Sequence, residues 1–361
     1  MTQIESDKGA TGAVGPALVA DAGSRTAVEV ALQQSSRQAR AVSLVREAAL
    51  LPVLVALIIV GALVSPVFFT VSNFSGIGLQ ASALGVTVVG ESLILLIGGM
   101  DLSLEGTYGF APMFAAWLIV PVAAFGSGAD LNPYLGLLVL LLAGAFVGLI
   151  NGTMIVKARL NGFIWTLGMT IVLAGLQDGI PKGQSVFALP RAFSYLGSAY
   201  WGQVPVSLIV TALIFVGVGL FLRYHRAGRA IYAVGGNPEA ARAAGINVDR
   251  VKIAVYVAGG TLAALGGLME AGRVSAVTGQ QGYGEGVIFT VFAAAVIGGV
   301  SLLGGRGNMV GAATGVALLS IVQNILDLDN VSNYWVEAID GAVILVALVM
   351  ARVIGGKASQ G

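Results

Sequence analysis

The chain has no cysteine and a single histidine, His225. A disulfide framework and a thiolate metal site are therefore excluded, and so is a histidine-cluster metal centre. No metal ligands and no cofactor are expected. Charge is scarce as well. Asp, Glu, Lys and Arg make up 10% of 361 residues, against ~25% in soluble domains. The formal net charge is only +1, which argues against a strongly basic nucleic-acid binder. The phosphate-loop pattern is missing too: Gly356-Lys357 is followed by Ala358 and lacks the first glycine. The chain is thus not expected to hydrolyse ATP. Nor does His225, in a basic segment, belong to a plausible nucleophile–His–acid constellation. What remains is apolar: 57% hydrophobic residues, 52 glycines and a mean hydropathy of +0.89. A soluble globule cannot hide that much apolar surface.

The few charges are clumped, and the gaps between them are membrane-sized. A bilayer core needs ~20 apolar residues as helix. No charge occurs from Ala48 to Gly90, a run of 43 residues that holds two spans, with Ser72, Asn73 and Ser75 marking the turn between them. Further uncharged runs are Gly106–Ala129, Leu131–Val156, Leu160–Gln177, Ala192–Leu222, Ile253–Met269, Gly286–Gly305 and Gly307–Leu326. A last span carries Glu337 and Asp340 near its start. Together they predict an all-α, multi-pass membrane protein of about ten helices, near 48–69, 76–98, 103–121, 134–156, 162–179, 205–222, 251–271, 287–303, 308–326 and 333–352.

Cationic loops set the orientation of such a chain. With both termini inside, 16 of the 19 Lys and Arg fall in cytoplasmic segments, and only Lys182, Arg191 and Arg273 lie outside. The N-in, C-in arrangement follows. Residues 1–46 read as a disordered or weakly helical cytoplasmic leader. Glu5 and Asp7 stand where a signal peptide needs basic residues, and no apolar core precedes Ala48. Residues 47–353 are the expected membrane domain and 354–361 a cytoplasmic tail. Seven Gly-Gly pairs occur, about as many as chance supplies at this composition, so no repeat is inferred. Small residues in such number do predict closely packed membrane helices.

Three segments stand out. The cytoplasmic loop 223–252 contains Asn237-Pro238-Glu239-Ala240-Ala241-Arg242-Ala243-Ala244-Gly245. Asn237 is a good N-cap, Pro238 suits the first helical position, and Glu239 complements the helix dipole. Gly245 can take the left-handed conformation that ends a helix. So short a helix needs support, either from the helix ends beside it or from a groove on a cytoplasmic partner. The second segment, Leu96–Thr107, sets Asp101 and Glu105 among glycines in an otherwise apolar stretch. It is either a cytoplasmic turn or a helix broken within the membrane. Intramembrane acids are functional candidates by default, and Glu91, Asn151 and Asn161 join the list of polar groups in apolar runs, where interhelical hydrogen bonding is the alternative role. The third segment, the outside loop 181–204, is rich in aromatics, including Phe193, Tyr195, Tyr200 and Trp201. It reads as an interfacial belt or as a docking surface for an extracytoplasmic partner.

Over roughly residues 48–353 the chain resembles the permease subunits of bacterial ABC importers of the ribose/xylose/galactose type. The resemblance rests on Ile97-Gly98-Gly99-Met100-Asp101-Leu102-Ser103, Gly148-Leu149-Ile150-Asn151-Gly152, and Asn161-Gly162-Phe163-Ile164 with Thr166-Leu167-Gly168. It continues in Val234-Gly235-Gly236-Asn237-Pro238-Glu239-Ala240-Ala241 with Gly245-Ile246, and in Val296-Ile297-Gly298-Gly299 with Leu303-Gly304-Gly305-Arg306-Gly307. It implies a permease of the bacterial inner membrane, paired with a second copy, that passes a monosaccharide or related polyol by alternating access. Separate ATPase subunits would bind beneath and a periplasmic sugar-binding protein above; the lipid bilayer is a partner and nucleic acid is not. Residues 237–245 then look like the helix coupled to the ATPase, and Asp101, Ser103, Glu91, Asn151, Asn161 and Thr166 become the candidate pathway residues. Leu104-Glu105-Gly106 departs from the family's usual Val-Gly-Ser, Gly162 from its usual Pro, and the Ile-x-Leu-Pro that often follows the coupling signature is missing. The alternative is a secondary transporter driven by an ion gradient, with Asp101, Glu91 or Glu270 as the proton or sodium site.

Overall fold

The computed structural model describes residues 52–332 except 188, 280–283 and 285, together with positions 335, 336, 338, 339, 341, 342 and 345. The expected leader, most of the last span with Glu337 and Asp340, and the tail lie outside the described residues. Helix starts follow local chemistry. Thr70 caps α2 (Val71–Leu96) and Asn132 caps α4 (Pro133–Val156), whose first residue is proline. Asn161 caps α5 (Gly162–Gly179), Asn247 caps α10 (Val248–Val274) and Asn308 caps α12 (Met309–Leu328). In each case the side-chain oxygen accepts an otherwise orphaned N–H of the first turn. The remaining helices are α1 (Pro52–Val64), α3 (Ser103–Ile119), α6 (Arg191–Ser198), α7 (Val206–Tyr224), α8 (Arg226–Gly236), α9 (Pro238–Ala243) and α11 (Val287–Ile297). The only sheet among the described residues is a hairpin, Tyr200–Trp201 against Val204–Pro205.

Five of these helices, α2, α4, α7, α10 and α12, are long and apolar enough to cross a membrane. α2 is largely buried, whereas α4 and α7 leave most of their apolar surface exposed, as lipid-facing helices do. The described residues lie in one compact unit, Leu50–Gly361, organised around α10, which packs on α2, α3, α4 and α6. Glycine allows the tightest of these contacts. Gly144, Gly148 and Gly152 recur every fourth residue along α4. A Cβ at Gly148 would collide with the Tyr256 carbonyl of α10, and one at Gly144 with the Gly260 carbonyl. Backbones that touch in this way gain dispersion contacts that bulkier side chains would block.

Three expectations need correction. The first turn does not sit at Ser72–Ser75. Pro66 disfavours helical backbone at Ser65, so α1 ends at Val64 and α2 has already begun at Val71. Asn73 instead lies within α2, where it exchanges hydrogen bonds with Asn324 of α12 (3.0 and 2.8 Å). The span expected at 287–303 stops at Ile297. Gly299, at φ 91°, ends it with the bonds Gly299 N–H to Val296 O and Val300 N–H to Ala295 O, a Schellman closure. Eleven residues reach only roughly 16 Å, half a bilayer core. Finally, the basic loop holds a second helix, α8, which buries Gly228, Ile231 and Val234.

Candidate functional site

The turn carrying Asp101 is built by two local devices. α2 closes as a Schellman motif at Gly98 (φ 70°), with Gly98 N–H donating to Leu95 O and Gly99 N–H to Ile94 O, each at 2.9 Å. Three residues on, Asp101 Oδ1 accepts from the Ser103 N–H (2.9 Å) and the Ser103 hydroxyl (2.6 Å), fixing the start of α3. The fold adds what the turn lacks. From α4, Asn151 Nδ2 donates to Ser103 Oγ (2.6 Å) and, at 3.4 Å, to Asp101 Oδ2. From α5, the Trp165 indole N–H donates to Asn151 Oδ1 (3.0 Å), and Thr166 Oγ1 accepts from Leu102 N–H (3.1 Å). The Tyr256 hydroxyl of α10 lies against the backbone of Gly99.

Asp101, Ser103, Asn151 and Thr166, expected as pathway residues, are thus brought together, each fully buried. Glu91 is also buried, within electrostatic reach of Asp101 and of its backbone N–H. Asn161 is not part of the cluster: it is exposed, with its side chain spent on capping α5 at Ile164 N–H. Chemically the group offers carboxylate, amide, hydroxyl and indole functions suited to a polyhydroxylated solute. In this conformation Asp101, Ser103, Asn151 and Trp165 are satisfied by one another, so the cluster ties α3, α4 and α5 together and is closed. Among the described residues no group of three or more His, Asp or Glu could hold a metal.

The capped helix of the basic loop is present as α9. Asn237 Oδ1 accepts from the N–H groups of Glu239 and Ala240, both at 3.0 Å. Gly245, at φ 81°, closes the other end through Gly245 N–H to Arg242 O (2.9 Å) and Ile246 N–H to Ala241 O (3.0 Å). Ala241 is buried beneath the helix, while Glu239, Ala240 and Arg242 face outward. Pro238 supplies the first helical residue. Asp249 at the start of α10 receives Arg242 (3.2 Å) and Lys157 from the end of α4 (2.8 Å). α9 is therefore both seated on its neighbours and open on one face.

At the opposite end, the aromatic loop divides. Tyr195, Tyr200 and Trp201 are 43%, 46% and 68% exposed. Phe193 is fully buried and must be removed from the docking surface. It lies in the amphipathic helix α6, whose inner face packs on α10. An open pocket of about 550 Å³, lined by Val71, Ser72, Ser75, Gly76, Tyr200 and Gln203, adjoins the hairpin.

A family model described as "Branched-chain amino acid transport system / permease component" matches residues 73–348, well over half of the chain. The chain belongs to this permease family. The permease is 33% identical over 311 residues to the ribose import permease protein RbsC of Escherichia coli (strain K12), covering 85% of this chain and 94% of the relative. It is 34% identical over 298 residues to RbsC of Bacillus subtilis (strain 168), covering 82% and 89%. The galactose/methyl galactoside import permease protein MglC of Escherichia coli (strain K12) is 31% identical over 322 residues, covering 84% and 94%. No solved structure matches the permease significantly.

Trp165 and the partner of Glu105 escape a sequence reading of this permease. Trp165 is half-buried and gives its indole N–H to Asn151, as the polar end of a tryptophan taken out of water usually finds a partner; an indole four residues past an N-cap is the signal that was available. Glu105, the departure from the family pattern, is only 8% exposed, and its Oε2 accepts from Ile288 N–H at 3.4 Å. It therefore faces the N-terminus of the short α11, where a helix dipole favours an anion. Nothing in sequence spacing relates residue 105 to residue 288.

Proposed function

We propose that this permease forms the membrane pathway of a bacterial ABC importer for a monosaccharide or related polyol. Its similarity over most of its length to ribose and galactose import permeases carries the reading, and none of those relatives is named as an ion-coupled carrier. The chain sits in the cytoplasmic (inner) membrane as about ten crossings with both termini inside, an orientation supported by the 16 of 19 cations it gathers on one side. Two copies pair, and separate ATPase subunits supply the energy, since the chain has no phosphate loop. Residues 237–245 receive the ATPase subunit: α9 has both ends specified and its Glu239 face uncovered. Tyr195, Tyr200 and Trp201 belong to the surface that meets a periplasmic sugar-binding protein. Asp101, Ser103, Asn151 and Thr166, with Glu91 beside them, form a lock near the pathway that opens during alternating access and offers its hydroxyl-binding groups to the solute.

The test is uptake into liposomes holding the permease, with and without its ATPase subunits and binding protein, using ribose and galactose, and leucine to represent the family description. ATP-dependent sugar uptake that needs all components is expected. Uptake by the permease alone, or uptake of leucine but neither sugar, would overturn the proposal. Glu239→Lys with Gly245→Val tests α9 separately: the pair should abolish co-purification of the ATPase subunits while the permease still inserts.

A further inference from the structure

Three glycine pairs from distant parts of the chain meet backbone to backbone: Gly98-Gly99 after α2, Gly235-Gly236 at the end of α8, and Gly304-Gly305 in the loop after α11. Gly305 N–H donates to the Leu96 carbonyl at 2.9 Å, satisfying one of the carbonyls left open at the end of α2. A Cβ on Gly235 would collide with that same Leu96 oxygen and come 2.6 Å from Gly305 N. A Cβ on Gly304, at φ 83°, would stand 2.8 Å from both Gly235 O and Gly98 N. Tyr232 of α8 holds the same loop a second time, its hydroxyl donating to Gly307 O at 2.8 Å. No side chain intervenes between the three backbones. A side chain in such a contact absorbs a displacement by changing rotamer, whereas touching backbones pass it on.

The positions of the three pairs give this junction its meaning. Gly236 directly precedes Asn237, the N-cap of α9, and Gly98 lies three residues before Asp101. We propose that Gly235, Gly304 and Gly305 are positioning residues for transport, forming the junction through which movement of α8 and α9 shifts the Asp101 turn. This rests on α9 being the element the ATPase subunits move. The junction makes the packing continuous from that surface to the buried cluster, the kind of contact network that can carry coupling between separated sites.

Gly235→Ala tests it in the reconstituted importer, with Gly236→Ala as its control, since a Cβ at Gly236 meets nothing within 4 Å. For Gly235→Ala the ATPase subunits should still co-purify and hydrolyse ATP, while ATP consumed per solute imported rises roughly 2- to 30-fold. Gly236→Ala should leave that ratio unchanged. A ratio unchanged in Gly235→Ala, uptake and hydrolysis falling in step, or the same effect in both variants would overturn the proposal. Should Gly235→Ala not reach the membrane, Tyr232→Phe decides: it adds no bulk, removes the bond to Gly307, and should raise the ratio in the same direction, an unchanged ratio counting against the junction. Loss of the α9 reading shows up elsewhere, as ATPase subunits that still co-purify with the Glu239→Lys, Gly245→Val permease.

Discussion

Replacing Asn151 with alanine removes the one residue that α4 contributes to the Asp101 cluster. Its amide joins three groups: the Ser103 hydroxyl at 2.6 Å, the Trp165 indole at 3.0 Å and, at a weaker 3.4 Å, Asp101. Hydrogen bonds between membrane helices average ~0.6 kcal/mol and reach ~1.7, while a buried polar group left unpaired costs ~1–3 kcal/mol. Two good bonds and one marginal one, on a side chain with no exposed surface, place the loss for Asn151→Ala at about 2–4 kcal/mol. Part of that sum is shared with Trp165, because the same bond vanishes in Trp165→Phe. The decisive measurement is therefore a double-mutant cycle by equilibrium unfolding in mixed micelles. Residues in direct contact couple by ~0.5–3 kcal/mol, and this pair should fall in the range ~0.6–1.7. Additivity within ~0.3 kcal/mol would refute the bond and with it the tie between α4 and α5 at this site.

The α4–α10 contact predicts that Gly148→Val lowers stability by about 1–3 kcal/mol through overpacking, whereas Gly168→Ala, with nothing within 4 Å of the added carbon, is silent; the same unfolding assay compares them. Phe193→Ala should cost about 3–5 kcal/mol as a core truncation, while Trp201→Ala leaves stability unchanged and weakens binding of the sugar-binding protein, read by pull-down; loss of binding without destabilisation in Phe193→Ala would contradict its burial. Accessibility reporters placed at Gly236 and at Phe187 should report opposite sides of the membrane, cytoplasmic and external respectively, and the same side for both would show that the number of crossings between them is wrong.

Much of the helix pattern was legible before folding was considered. The expected 162–179 span coincides with α5, and 134–156 differs from α4 by one residue. A helix satisfies its backbone within its own segment, so its capping residues and uninterrupted apolar run write its limits locally. α9 was legible for a related reason. Asn237, Pro238, Glu239 and Gly245 act on backbone groups within a few residues, so capping chemistry specifies both ends without help from the rest of the chain. Short amphipathic elements such as α6 and α8 escaped because two or three turns carry too little periodicity to stand out.

Roles that depend on a partner far along the chain belong to tertiary structure alone. Asn161 and Asn308 cap helices, while Asn151 and Asn324 bridge them; the residue type is the same, and only the neighbour brought up by packing separates the cases. Phe193 and Trp201 share one aromatic loop, yet one is core and the other surface, because Phe193 lies on the buried face of α6, which packs on α10, and Trp201 in the exposed hairpin strand. The glycine pairs make the point most sharply. Their number alone carries no signal, but three of them become a junction once α2, α8 and the loop after α11 converge. The sequence determines which segments lack side chains and can approach closely; which backbones fill the space those side chains leave is decided by the packing of segments far apart along the chain.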